Sequence, residues 1–292
     1  APVAPAAWGI DARAAAAIPR KGEGGDKYAS GAVLVVAGAR GMSGAARLAT
    51  TAVLRAGAGL CQAMVPGPVA DLVAAGAPEV MVAALPSGAP HLTPGDVDAV
   101  IAASPRFSAL ALGPGLGRDP ATGDAVRDLV ARCPLPAVID ADALWHLVGH
   151  AGVTAERAAP TVITPHTGEA ARLLETAREH VDAARLEAAA DLAARFGATV
   201  VLKGPGTIVC DGVGAPLVCL PGGPELATAG SGDVLTGVVA AFLAKGVPAL
   251  TAAAAAVAVH AEAGVLAGRG DGTLAGDIAA ALPDALRAGR TA

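Results

Sequence analysis

Short apolar runs that end in glycine alternate along this chain with alanine-rich stretches of helical length. Val33–Ala37, Cys61–Val65, Val80–Ala83, Leu110–Leu112, Ala137–Ile139, Thr161–Thr164 and Thr199–Leu202 read as strands, short and β-branched or alanine-rich. Ala45–Ala56 and Ala121–Arg132 read as helices, and two more follow Glu169 with Leu173, Leu174, Leu186 and Leu192 on their buried faces. A strand, a glycine turn and a helix in repeated succession build βαβ units. The fold expected is α/β, a three-layer α/β/α sandwich with a mostly parallel central sheet.

Near Ile208 the pattern changes. Ile208–Cys210 and Leu217–Cys219, joined by a glycine-containing turn, read as an antiparallel hairpin. Three helices then complete the chain, over about Asp233 to Ala244, Pro248 to Ala267 and Ala275 to Ala288. No internal repeat and no boundary divides residues 30–292. Residues 1–26, rich in Ala, Pro and Gly with a short helix near Ala12 to Ile18, read as a linker or N-terminal extension to a domain spanning 27–292. The segment has no signal-peptide pattern.

Composition narrows the partners. Hydrophobic residues make up 53% of the chain, yet no apolar run reaches the roughly 20 uninterrupted residues of a membrane span. The excess is alanine and fits tightly packed helices. Aromatic residues at 2% and a net charge of −5, with no basic cluster, argue against a nucleic-acid partner. Cys61, Cys133, Cys210 and Cys219 have no CxxC spacing and suit buried thiols in a reducing cytoplasm.

The residues with chemistry gather where strands end. In an open parallel sheet, ligands bind beyond the carboxyl ends of the strands. The Gly38–Gly44 turn, Gly113–Gly117, Asp140 with Asp142, Pro165–Glu169 and Lys203–Thr207 all fall there, which points to one composite cleft. Gly230, Ser231, Gly232 and Asp233 then open a buried helix. Such a turn offers unpaired N–H groups at the positive end of the helix dipole, a seat for a phosphate or an anionic transition state. Asp233 is placed to take a proton from an attacking hydroxyl.

Each cluster also has a purely structural reading. Ser231 or Asp233 can cap a helix, and so can Asp140 and Asp142, with capping favoured for Asp142. His166 can be a loop hydrogen-bonder. Glu169 is favoured in a first helical turn by the dipole alone; its functional reading is a carboxylate holding Mg²⁺ through water. Lys203 with Gly204, Pro205, Gly206 and Thr207 makes a nucleotide-holding loop or a simple surface turn. No Walker A spacing and no dinucleotide fingerprint occurs, so phosphate binding falls to Gly230–Asp233.

The ordered set Ala37-Gly38 with Ser43 to Ala46, Gly113 to Gly117, Asp140 to Leu144, Thr164 to Glu169, Val201 to Gly204 and Gly230 to Gly237 resembles the ADP- or ATP-dependent NAD(P)H-hydrate dehydratases, which have the ribokinase-like fold. The resemblance runs from about Lys27 to the C-terminus and includes Thr273 to Ile278 with Leu282-Pro283. It implies repair of the (S)-hydrate of NADH or NADPH: phosphorylation of the ring hydroxyl by ADP or ATP with Mg²⁺, then phosphate loss. It assigns Asp233 as base with Gly230 and Gly232 beside it, and Ala45, Gly115, His166 and Asp233 to the hydrate. Lys203, Gly204, Pro205, Gly206, Thr207 and Gly232 would hold the nucleotide, and Glu169 would sit in the Mg²⁺ shell. A homotetramer and an NAD(P)H-hydrate epimerase domain fused in the full-length protein are further implications. Asp26-Lys27 stands where the family often has a His-Lys pair, and Ser231 where threonine or glycine is usual. Two rivals share the same turn: a small-alcohol kinase of the hydroxymethylpyrimidine or hydroxyethylthiazole type, and a nucleotide-binding regulator without catalysis.

Overall fold

The computed structural model describes residues 6–291. Ten strands form one sheet: β1 (Trp8–Ile10), β2 (Ala32–Val36), β3 (Leu60–Val65), β4 (Met81–Ala84), β5 (Ala109–Leu112), β6 (Ala137–Ile139), β7 (Thr161–Ile163), β8 (Thr199–Leu202), β9 (Thr207–Cys210) and β10 (Leu217–Cys219). Their order is β1-β10-β9-β8-β7-β6-β5-β2-β3-β4. Neighbours are parallel except at β8/β9 and β9/β10, so β9 alone runs against the rest.

Alternating residues of one strand feed two separate cores, as the period of two requires. Val33 and Val35 of β2 join the face covered by helices Ser43–Arg55, Ser231–Ala244, Ala249–Ala267 and Ala275–Gly289. Ala32, Leu34 and Val36 join the other face, under helices Pro94–Ala103, Pro120–Arg132, Thr167–Leu174 and Arg185–Phe196. The expected three-layer α/β/α sandwich is therefore the architecture observed, and the four cysteines are buried and unpaired.

From β2 the chain winds outward through β3 to β4, then returns to β5 on the other side of β2 and continues to β8. The winding direction reverses between β2 and β5, and the loops leaving two such strands diverge and open a crevice. The Gly38 turn and the Gly113–Gly117 loop meet there: the Gly38 amide donates to the Pro114 carbonyl at 2.8 Å.

Residues 8–18 are more than a linker. Strand β1 pairs in parallel with β10, Trp8 opposite Leu217. A 3-10 helix, Ala12–Ala17, follows, and Ala15 and Ile18 enter the core. Arg290 secures this segment by donating to the Ile18 carbonyl at 3.0 Å. Residues 1–5 of the expected extension lie outside the described residues. Among those described, one helix, Ala249–Ala267, is long and apolar enough to cross a membrane, with a mean hydropathy of 1.6, although 67% of its apolar window is buried in the fold. His260, buried, and Glu262, half-buried, interrupt its apolar run inside the sandwich.

Helix Ser231–Ala244 is buried at nearly every position. Small residues let it approach its neighbour closely: a Cβ on Gly237 would lie 2.3 Å from the Ala49 carbonyl oxygen and 2.7 Å from the Ala52 Cβ. Because the nearest obstacle is backbone, Gly237→Ala must push two helices apart. We expect it to cost about 1–3 kcal/mol, read as a lower midpoint in chemical denaturation with the m-value unchanged.

Candidate active site

The Gly230–Asp233 turn is shaped by a glycine that no other residue replaces without strain. Gly230 has φ +88°, and a Cβ there would meet the Leu48 Cδ1 at 2.4 Å. The Ser231 amide donates to the Thr228 carbonyl at 3.2 Å. The amides of Gly232 and Asp233 have no acceptor among the described residues, so the helix start presents two free donors.

Below the turn lies a buried ion pair. Lys203 Nζ donates to Asp140 Oδ1 at 2.8 Å, and Thr236 Oγ1 donates to Asp140 Oδ2 at 2.6 Å. Asp140 is only 1% exposed. Burial would raise its pKa, but the Lys203 ammonium and the hydrogen bonds hold it below the usual carboxylate range. Burial likewise works against the Lys203 charge, and Asp140 with Glu169 outweighs it, so the ammonium is held more firmly than usual. A Cβ on Gly232 would sit 3.4 Å from Lys203 Nζ, which puts the ammonium directly beside the turn.

Asp233 has no such partner. Burial, then the nearby Asp140 charge, pushes its carboxyl up to about 7, with Lys203 pulling the other way and Asp142 adding to the rise. A carboxylate poised near neutrality, beside free amides and an ammonium, is suited to accept a proton from a hydroxyl attacking a bound phosphate.

Two further elements reach the same end of the sheet. The Lys203 amide donates to the Pro165 carbonyl at 2.8 Å, and His166 and Lys203 form an isolated parallel bridge that prolongs the β7/β8 pairing. His166 caps helix Thr167–Leu174: its Nδ1 accepts from the Gly168 amide at 2.9 Å, and Glu169 Oε2 accepts from the His166 amide at 2.8 Å. Burial lowers the His166 pKa. With Nδ1 accepting, Nε2 carries the ring hydrogen and is the donor that remains. Glu169 Oε2 also lies 3.8 Å from Lys203 Nζ. Ala45 and Gly115 meet at the crevice between β2 and β5, where a Cβ on Gly115 would stand 3.0 Å from the Ala45 Cβ.

A sequence model of the NAD(P)H-hydrate dehydratase family matches residues 33–284. The chain belongs to that family. A bifunctional NAD(P)H-hydrate repair enzyme from Moorella thermoacetica is 42% identical over 193 residues, which cover 66% of this chain and 36% of that protein. The chain thus spans about a third of the length of the curated relatives it matches. The Bacillus subtilis ADP/ATP-dependent NAD(P)H-hydrate dehydratase, co-crystallised with ATP/Mg²⁺, superposes with a TM-score of 0.81 at 26% identity, covering 94% of this chain and 96% of that one. A ribokinase-like superfamily protein from Enterococcus faecalis shares the fold, with a TM-score of 0.83 at 24% identity over 99% of this chain and 98% of that one.

The fold joins Gly230, Gly232, Asp233, Lys203, His166 and Glu169 into one continuous surface, with Ala45 and Gly115 in the adjoining crevice. Gly204, Pro205, Gly206 and Thr207 form the turn between β8 and β9, where the Thr207 hydroxyl donates to the Gly204 carbonyl at 2.9 Å. Asp26 is not brought to this end. It accepts from the Ala29 amide at 2.8 Å, and the adjoining Lys27 carbonyl abuts Gly59, which precedes β3 at the amino ends of the strands. Asp142 is not a helix cap: its Oδ2 accepts from the Gly117 amide at 2.9 Å and so holds the glycine loop against the end of β6. Asp140 does not cap either, since both of its oxygens are engaged by Lys203 and Thr236.

Among the described residues no group of three His, Cys, Asp or Glu side chains forms a metal cage. Glu169 fits a Mg²⁺ that is held mainly by phosphate oxygens and water, because its Oε1 carries no hydrogen bond here. Two contributors escaped the sequence reading. Arg185 donates to the Leu202 carbonyl at 3.1 Å and to the Thr167 hydroxyl at 3.2 Å, tying the β8/β9 turn to the His166 helix. Buried His260 places Nε2 3.0 Å from the Ser231 carbonyl and 3.1 Å from its hydroxyl. A carbonyl only accepts, so Nε2 carries the hydrogen and fastens the Gly230–Asp233 turn from behind. Burial lowers the His260 pKa to about 4, so the ring stays neutral at working pH.

His260→Phe keeps the volume and loses this bond. If the ring positions the turn, kcat falls by about tenfold while the KM for nucleotide changes little, and His260→Gln recovers part of the loss. An equal fall in both variants, in step with melting temperature, would reduce His260 to a packing residue.

Proposed function

We propose that this chain restores NADH or NADPH from the (S)-hydrate, using ADP or ATP as phosphoryl donor. The observation that carries the reading is the Asp233 carboxylate, pushed up to about 7 at the mouth of a helix whose first amides are free. Asp233 takes the proton of the ring hydroxyl as its oxygen attacks the terminal phosphorus. The bond to the leaving AMP or ADP oxygen breaks, and charge building on the phosphoryl oxygens meets the Gly232 and Asp233 amides and Lys203. Phosphate then departs with the carbon–oxygen electron pair, and loss of a proton from the adjoining ring carbon restores the double bond. Phosphorylation is needed because hydroxide is a poor leaving group.

In this reading Ala45, Gly115 and His166 hold the hydrate at the crevice, the His166 Nε2–H serving as donor. Lys203–Thr207 and Gly232 hold the nucleotide. Mg²⁺, held near Glu169, supplies neutralisation of the phosphate charge when bound. The names and greater length of the bifunctional relatives support an epimerase domain joined to this one in a longer protein. A homo-oligomer and a cytoplasmic setting complete the proposal, the latter supported by four free, buried thiols.

The test is recovery of reduced-nicotinamide absorbance from purified hydrate with Mg²⁺ and either ADP or ATP, against a control lacking nucleotide. Nucleotide-dependent recovery with release of phosphate is the expected result. Nucleotide binding without recovery would favour the small-alcohol kinase. Because the base must be ionised, kcat/KM should fall as pH drops below about 7.

Asp233→Asn should abolish turnover while keeping nucleotide binding. It should also stabilise the protein in alkaline buffer. A carboxyl whose pKa is raised by folding contributes stability below its unfolded pKa and loses it as pH rises through about 7. At pH 8 the variant should therefore unfold at higher denaturant than wild type, by at most about 4 kcal/mol, with the curves converging towards pH 4. A mutant that kept near-normal turnover would exclude Asp233 as the essential base.

A further inference from the structure

At the amino ends of the strands, opposite the catalytic cleft, lies a cavity of about 400 Å³. Its position follows from Gly31, which precedes β2 and packs against the Ala244 carbonyl. Arg20, Lys21, Arg55, Lys245, Arg287 and Arg290 line it, over an aliphatic floor that includes Pro283 and Leu286. The concentration of positive charge is notable in a chain whose net charge is −5.

Helix ends account for part of it. Arg55 closes helix Ser43–Arg55, Lys245 follows Ser231–Ala244 and Arg290 follows Ala275–Gly289, so each cation meets the negative end of a helix. Each end is worth about half a charge, which offsets fewer than two cations in all. Only Arg287 has a carboxylate partner among the described residues, Asp284 at 2.7 Å. Arg20 and Lys21 close no helix; the N-terminal segment carries them to the cavity.

The crowding acts on the cations themselves. Burial, then Arg290 and Lys21, lowers the Lys245 pKa, and burial, then Arg20, lowers that of Arg290. Arg290 Nη2 donates to the Ile18 carbonyl, whereas its buried Nε has no acceptor among the described residues. Cations gathered around one cavity with a single carboxylate partner among the described residues are complementary to an anion.

We propose that this cavity binds a compact anion bearing adjacent phosphate groups, of the pyrophosphate or tripolyphosphate class. Several convergent cations suit more than one charged group. No aromatic side chain lines the cavity to stack a base, so the phosphates and not a nucleoside are what the site recognises. The proposal is independent of the catalytic reading, since the two sites occupy opposite ends of the sheet.

Titration calorimetry with pyrophosphate at fixed ionic strength tests it on the whole chain, with sulfate as the comparison anion. Arg20 and Lys21 are exposed, so the double variant Arg20→Ala, Lys21→Ala should fold normally and leave nucleotide binding at Gly230–Asp233 unchanged. Wild type should bind pyrophosphate more tightly than sulfate, and the variant should lose one binding equivalent or weaken by about tenfold or more. An isotherm unchanged in the variant, no binding by wild type at millimolar pyrophosphate, or equal affinity for sulfate would each overturn the proposal.

Discussion

Asp140 and Lys203 come from distant parts of the chain, the ends of β6 and β8, and meet under the start of a third element, the helix that begins at Ser231. Neither charge is stable in that interior alone, because an ion removed from water needs a partner at hydrogen-bonding distance. The pair therefore fixes the separation of the two strand ends and, through Thr236, the height of the helix above them. It also divides the chemistry. The Lys203 ammonium is committed to Asp140 and remains close enough to Gly232 to act on a bound anion, whereas Asp233, left without a counter-ion and facing the charge of Asp140, keeps a carboxyl that can exchange its proton near neutral pH.

The rest of the cleft is assembled by backbone approach more than by side chains. At Gly113 a Cβ would lie 1.8 Å from the Asp140 carbonyl oxygen, so the loop after β5 touches the end of β6 directly. Asp142 then ties the far end of that loop back through the Gly117 amide. These contacts close one side of the crevice where the winding of the sheet reverses. The Lys203–Thr207 turn reaches the same end of the sheet because it leaves β8, which is parallel to β7, and antiparallel β9 then runs back from it.

The sandwich was legible because its central strands, such as β2, β5 and β8, are fully buried and read as short apolar or β-branched runs. β1 was not: three residues at a sheet edge, two of them exposed, carry no periodic signal and owe their conformation to β10. The site followed the same division. The glycines and Asp233 were visible because a helix start after a glycine turn is a local pattern. The partners of Asp140 lie 63 and 96 residues away, and His260 lies 29 from Ser231, so neither network leaves a mark in any window of sequence. Asp142 misled for that reason: in sequence it precedes a helix, in space it faces Gly117.

The burial of helix Ser231–Ala244 bears on how the cleft works as a moving object. A helix enclosed on nearly every side, with a neighbour's backbone lodged against Gly237, has no room to rock or slide. Its first turn is accordingly the fixed jaw of the cleft. The Gly204–Gly206 turn is the more exposed part of the same end, held to the body of the fold by Arg185 and by the Lys203 amide rather than by enclosure.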